Sequence, residues 1–135
     1  MGSWKDKFLA LGLLWLRVLM GVGIAHHGYG KVFGGHMDRF AEGVAHMGFP
    51  APMAFAWAAA LSELVGGILI ALGLQTRAAA FCVLCTMAVA VFRHHAADPL
   101  QVKELAMAYG TMAGTLLMTG PGLLSLEAFV SGGKK

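Results

Sequence analysis

The amino-acid sequence predicts an all-α integral membrane protein, a bundle of four transmembrane helices with a short amphipathic surface helix between spans one and two. Hydrophobic residues make up 58% of the 135 residues and charged residues only 13%, about half the charged fraction of an ordinary soluble domain. The charges are also clustered, and long apolar stretches separate the clusters. Each stretch is expected to be helical, because an isolated strand would leave its backbone polar groups unpaired in lipid.

The apolar stretches approach the roughly 20 residues that a helix needs to cross about 30 Å of hydrocarbon. The predicted spans cover about 8–27, 53–74, 77–95 and 104–124, within a single domain of residues 1–135. The first stretch has a basic start, but Arg17 interrupts it and no small-residue cleavage site follows. We therefore expect a retained span rather than a cleaved signal peptide. The simplest arrangement of the four spans is up-down-up-down.

The segment between the first two spans is expected to form the surface helix. Its apolar residues recur at helical spacing, with charged residues between them: Met37, Phe40, Val44 and Met47. This is the pattern of an amphipathic helix at a membrane interface. Pro50 and Pro52 are expected to end it.

Basic residues near the span ends favour a cytoplasmic N-terminus and C-terminus. The inner side would carry five of them and the outer side four; the inner ones are Lys5, Lys7, Arg77, Lys134 and Lys135. A pI near 9.1 does not indicate nucleic-acid binding here, because the few basic groups are spread over both faces of a chain that is mostly in lipid.

Arg17 and Glu63 are the charged residues predicted to lie near the middle of the membrane. A charge there costs about 2.5–3.5 kcal/mol on insertion scales and usually faces the bundle interior, where it pairs. Because spans one and two are antiparallel, we expect these two side chains to meet. Two compatible interpretations stay open. The pair holds two helices in register, or one of its members binds a substrate or relays protons.

Six histidines are predicted to gather on one side of the membrane: His26, His27, His36, His46, His94 and His95. Histidine titrates near physiological pH, ligates metals and can exchange protons with a quinone head group. Adjacent residues on a helix point about 100° apart, so each His-His pair is expected to turn one ring inward, and we choose His27 and His95. The alternative is that the histidines only cap helix ends at the interface.

Other polar and sulfur-containing residues are assigned to packing. Cys82 and Cys85 form a C-x-x-C without a thioredoxin-like fold around it, and lipid disfavours the thiolate. Two cysteines cannot complete a zinc site, and the nine methionines are interpreted as core filler rather than copper ligands. Tyr109 could donate to a ligand carbonyl or to Glu63. A stripe on span four is expected to hydrogen-bond between helices: Thr111, Thr115 and Thr119.

Taken in order, these residues resemble the DoxX family of small bacterial and archaeal membrane proteins over nearly the whole chain. The matching motifs are Arg17 with Gly21, His27-Gly28 followed by Lys31, Glu63-Leu64 with Gly66-Gly67, Leu72-Gly73 leading into Thr76-Arg77, a His ending span three, and Thr119-Gly120-Pro121-Gly122 with Ser125-Leu126. Glu127 departs conservatively from the Asp expected after Ser-Leu. The Cys pair and the doubled histidines lie outside the resemblance.

The resemblance implies a four-helix protein of the prokaryotic cell (inner) membrane that takes part in redox work. DoxX-like proteins include a thiosulfate:quinone oxidoreductase subunit and a member of a mycobacterial membrane complex with superoxide dismutase and a sulfurtransferase. The leading hypothesis is therefore a quinone-interacting subunit of a membrane oxidoreductase system. Quinone would enter from lipid onto a polar floor of Arg17 and Glu63, while His27 and His95 exchange protons. Tyr109 and Lys31 are further candidate quinone-binding residues.

Nothing in the sequence ligates haem, flavin or an iron–sulfur cluster in a recognisable way, so electrons would come from a partner redox protein or a larger membrane complex. A bundle this small could also self-associate. Two alternatives belong to other classes. One is a non-catalytic subunit that anchors or assembles a partner enzyme. The other is a protein that handles copper or zinc through its outer histidines, although no metal site is assigned.

Overall fold

The computed structural model describes residues 2–132 and is helical without strands over that range. In chain order the helices are α1 (Trp4–Phe33), α2 (Met37–His46), α3 (Pro52–Leu72), α4 (Thr76–Val89), a π-helical segment (Ala90–His94), α5 (Leu100–Thr119) and α6 (Leu126–Gly132). Lys134 and Lys135, used in the orientation prediction, lie outside the described residues.

Three helices are long and apolar enough to cross a membrane: α1, α3 and the continuous helix Thr76–His94 that α4 forms with the π segment. The fourth long helix, α5, has 20 residues and packs mainly against α4. The predicted all-α membrane fold is confirmed, and the four long helices are consistent with the predicted bundle. Span four was expected to reach residue 124, but α5 ends at Thr119 because Gly120 has a φ of +77° and Pro121 follows it.

Helix α1 is longer than its apolar stretch. It begins with a capping box, in which the backbone N–H of Ser3 donates to Asp6 Oδ2 at 2.7 Å and the N–H of Asp6 donates to Ser3 Oγ at 3.4 Å. It then continues to Phe33, six residues beyond the predicted end at His27. Lys31 is therefore a helical residue and not part of a loop.

Glycines bring α1 and α3 into the most extensive helix–helix contact of the described residues. A Cβ added to Gly21 would lie 2.6 Å from the Gly67 carbonyl oxygen, and one added to Gly67 would lie 2.6 Å from the Gly21 oxygen. A Cβ added to Gly28 would lie closer still to the backbone nitrogen of Leu64. Small residues permit such close approach in lipid. These contacts fix the register of the two helices.

The predicted surface helix is confirmed as α2. It ends at His46, before the two prolines that were expected to end it, and Pro52 is the first residue of α3. Its buried residues Ala41 and Val44 pack on Ala56 at the start of α3, and Arg93 Nη2 donates to the Met47 carbonyl at 3.1 Å. Helix α2 therefore covers one end of the bundle, together with the end of α1 and the π segment. We call this the histidine end, because all six histidines lie on these elements or border them. The opposite end, where Arg17 and Arg77 lie, is the arginine end.

Candidate functional site

Arg17 and Glu63 do not meet, so the predicted ion pair between them is wrong. The prediction placed the two apolar stretches side by side, with their midpoints at the same depth in the membrane. The glycine contacts instead place Gly28 opposite Leu64. Arg17 is eleven residues before Gly28, which is about 16 Å along a helix. The extension of α1 beyond His27 thus moves Arg17 to the arginine end of the bundle.

Arg17 is instead bound by backbone carbonyls. It is 1% exposed, and its Nη1 donates to the carbonyls of Ile70 at 3.3 Å and Ala71 at 3.2 Å. Its Nη2 donates to the Leu124 carbonyl. The last carbonyls of a helix have no partner within the helix and carry partial negative charge, which a cation stabilises. Arg17 therefore ties α1 to the end of α3 and to the segment before α6, and it lies away from the cavities described next.

Glu63 is paired with Lys31. The Lys31 ammonium lies 2.7 Å from Glu63 Oε1 and 2.8 Å from Oε2. The Glu63 side chain is 2% exposed and that of Lys31 is 33% exposed. Phe40 of α2 presents its ring centroid 4.9 Å from Lys31 Nζ, which adds a cation–π contact. An ammonium has three N–H donors, so one remains for a ligand after both carboxylate oxygens are bound.

A partly open cavity of about 620 Å³ lies beside this ion pair, between α3 and α4 and beneath α2. The charged side chains and imidazoles of its wall belong to Lys31, Glu63, His94 and His95. Two hydroxyl groups also line it, those of Ser62 and Thr86. The rest of its wall is mostly apolar, and includes Phe40, Val44, Met47, Phe55, Ala58, Ala59, Phe81 and Val89. We refer to it as the main cavity. It combines apolar walls with a few convergent polar groups, as ligand sites commonly do.

A second cavity of about 170 Å³ adjoins the main cavity at Lys31, Glu63 and His95. Its wall also contains His27 and Tyr109, whose rings meet edge to face with centroids 5.8 Å apart. The structure thus brings five of the six predicted site residues around two adjoining cavities. The functional roles of these residues stay predictions.

His95 has a partner that the sequence did not reveal. Its Nδ1 lies 2.7 Å from Asp98 Oδ2, which fixes the ring and leaves Nε2 for another partner. The expectation that one ring of each pair faces inward fits His27, but both His94 and His95 line the main cavity. The reason is that the chain widens into a π segment and His95 then leaves the helix, with φ −104° and ψ 21°. The sequence feature that could have predicted this contact is the acidic residue three positions after His95.

Three other expectations are corrected by the structure. Thr111, Thr115 and Thr119 each donate to the carbonyl four residues earlier in α5 at 2.9 Å, so their hydrogen bonds lie within one helix. Among the described residues, Tyr109 makes no hydrogen bond to Glu63, while its hydrogen bond to a ligand carbonyl stays a prediction. Cys82 and Cys85 are exposed free cysteines rather than core packing residues, and both line the main cavity.

Within residues 2–132, no three His, Cys, Asp or Glu side chains come close enough to hold a metal ion. The alternative of metal handling by the histidines therefore has no preformed three-ligand site in the described part of the chain.

Comparison with known proteins identifies a matching family. Residues 12–96 match the model of the DoxX family. The chain is also 31% identical over 131 residues to a protein of Bacillus subtilis (strain 168) named "Putative oxidoreductase CatD", covering 96% of this chain and 95% of that protein. No solved structure matches the chain.

Proposed function

Since the chain belongs to the DoxX family, we propose that it is a quinone-binding subunit of a membrane oxidoreductase system and that the main cavity is its quinone site. One observation carries the proposal. A cavity of about 620 Å³ opens between two membrane helices and is lined by the ion pair of Lys31 and Glu63, of which the carboxylate is buried. The oxidoreductase name of the Bacillus subtilis relative supports the same class of chemistry.

The cavity fits a quinone in volume and polarity. Pockets of roughly 300–1,000 Å³ accommodate small ligands, and the apolar walls suit a ring with an isoprenoid tail. A quinone carbonyl is a hydrogen-bond acceptor, and Lys31 keeps one N–H donor beyond the two that Glu63 receives. Because the cavity lies between α3 and α4, the ligand would enter sideways from lipid.

A quinone accepts two electrons and two protons when it is reduced to a quinol. Glu63 and Lys31 would hold the head group and pass protons to and from it. The second cavity would connect this pair to the histidine end, where His27 and Tyr109 lie beside His95. Asp98 would keep the His95 ring in the orientation needed for proton exchange. In this proposal a partner redox protein supplies the electrons.

The proposal is tested by purifying the chain in mild detergent and measuring bound quinone by mass spectrometry of the lipid extract and by difference absorbance. We expect about one quinone per chain in the unmodified protein, because a cavity of this size would bury most of the surface of the head group. Glu63→Gln should lose it. The matched control is Glu104→Gln, the same change at an exposed residue of α5, which should retain it.

Two results would count against the quinone site. The first is a quinone-free unmodified protein that remains folded. The second is equal quinone content in Glu63→Gln and Glu104→Gln. A quinone-free chain that co-purifies with an enzyme would instead support the role of membrane anchor.

A further inference from the structure

The two cysteines of the chain lie on the wall of the main cavity. Cys82 and Cys85 are both free and exposed, and both contribute to the cavity lining. They are three residues apart on α4, so their side chains leave the same face of the helix. The cavity proposed to hold quinone therefore also contains a dithiol.

Hydrogen bonds place this dithiol near the level of the ion pair. Thr86 Oγ1 bonds to Ser62 Oγ at 3.2 Å and donates to the Cys82 carbonyl at 2.9 Å. Ser62 directly precedes Glu63, and Cys85 directly precedes Thr86. Both cysteines consequently lie within about one helical turn, roughly 5.4 Å, of the position on α4 that faces Ser62.

We propose that Cys82 and Cys85 are a redox-active dithiol that reduces the quinone held in the main cavity. This inference rests on the proposed quinone site. In the step, both S–H bonds break and one S–S bond forms, which releases two electrons and two protons. The quinone takes up two electrons and two protons and leaves as the quinol. The dithiol is oxidised, the quinone is reduced, and no other reactant is needed.

A disulfide between Cys82 and Cys85 requires a local change in α4. Side chains three residues apart on a helix have Cβ atoms about 5–6 Å apart, whereas a disulfide requires about 3.5–4.5 Å between them. The two Cβ atoms must therefore approach by roughly 1.5 Å, through a local change within one turn of α4. Acceptors for the thiol protons also line the cavity, since Glu63 and the two histidines His94 and His95 belong to the same wall.

The experiment uses the full chain in lipid nanodiscs, reduced with dithiothreitol, desalted and kept free of oxygen. A benzoquinone with all ring positions substituted is added. Such a compound has no unsubstituted ring carbon, so the thiols can reduce it but cannot add to the ring. After quenching with N-ethylmaleimide, we expect two fewer maleimide labels, a Cys82–Cys85 disulfide in the peptide map, and one quinol per chain. Cys82→Ser and Cys85→Ser should each abolish quinol formation while still binding the quinone.

Glu63→Gln separates the two proposals. It should lose oxidation by quinone but still form the disulfide with diamide, an oxidant that needs no binding site. If the unmodified chain binds quinone and both thiols are still alkylated, the dithiol inference is wrong and the quinone site stands. If no quinone binds, both are wrong.

Discussion

Buried charge in this bundle is stabilised in two different ways. Arg17 is surrounded by backbone carbonyls of α3 and of the segment before α6, while Glu63 is neutralised by Lys31 of α1. A guanidinium with five donors suits several carbonyls in different directions. A compact ammonium suits one carboxylate. The two charges therefore have different surroundings. Arg17 attaches helices to one another, and Glu63 lies on the wall of the main cavity, where we propose that the ligand binds.

Removal of one partner of the Lys31–Glu63 pair should have unequal costs. Lys31→Met leaves a carboxylate that is 2% exposed without its cation, and we expect a loss of about 3–5 kcal/mol. Glu63→Gln should cost less, because the Lys31 side chain is 33% exposed and can be hydrated. The double variant should recover part of the Lys31→Met loss. Denaturant unfolding in detergent, followed by circular dichroism, measures all three. Equal losses in the two single variants would contradict the asymmetry.

Substitution of Arg17 should affect stability and not quinone binding. In Arg17→Lys, one ammonium cannot reach carbonyls of two segments, so we expect a loss of about 2–3 kcal/mol. Arg77→Lys is the control, because Arg77 is exposed and makes one long bond of 3.4 Å to the Met118 carbonyl, and it should stay within about 0.5 kcal/mol. The same unfolding assay and the quinone content of the folded fraction are measured. A folded Arg17→Lys protein that lacks quinone would place Arg17 in the site after all.

At the scale of the helices, the register of α1 on α3 determines which residues form the site. Apolar stretches and helical spacing were sufficient to predict the long helices and α2. They were not sufficient for the register, because α1 continues past its apolar stretch to Phe33 and hydropathy does not report that extension. Composition also does not show which of 19 glycines contact another helix. The resemblance named Lys31 as a candidate, but only the register made it the partner of Glu63.

The glycine contact between α1 and α3 predicts a sharp contrast between two Gly→Ala substitutions. In Gly67→Ala, the new Cβ would lie 2.6 Å from the backbone nitrogen of Ala25, so the helices must separate, at a cost of about 1–3 kcal/mol. Gly12→Ala adds a Cβ with nothing within 4 Å, and should be neutral or stabilising by up to about 1 kcal/mol because alanine favours helix. Unfolding midpoints in detergent compare the two. Equal midpoints would mean that α1 and α3 leave room for a methyl group at Gly67, which would contradict the close contact.

The whole molecule has two ends with separate roles. The arginine end holds helices together through Arg17, and the histidine end collects the titratable side chains around the two cavities. The four long helices α1, α3, α4 and α5 alternate in direction along the chain. The start of α1 and the end of α5 therefore both lie at the arginine end.

The arrangement predicts that reporters fused before Gly2 and after Gly132 lie on the same side of the membrane. A reporter inserted at Gly35, between α1 and α2, should lie on the opposite side. Alkaline phosphatase fusions, active only outside the cytoplasm, and fluorescent-protein fusions give complementary results for each position. Opposite results for Gly2 and Gly132 would mean that one of the four long helices, with α5 the first candidate, does not cross.

The central claim is that quinone binds in the main cavity against Lys31 and Glu63. The most direct measurement is photo-crosslinking of the purified chain with an azido-quinone, followed by peptide mapping with unlabelled quinone as competitor. We expect competed cross-links on the cavity faces of α3 and α4, around Glu63 and Cys85, which disappear in Glu63→Gln and persist in Arg17→Lys. Cross-links confined to the lipid-facing side of α1 or α5, or unaffected by competitor, would contradict the claim.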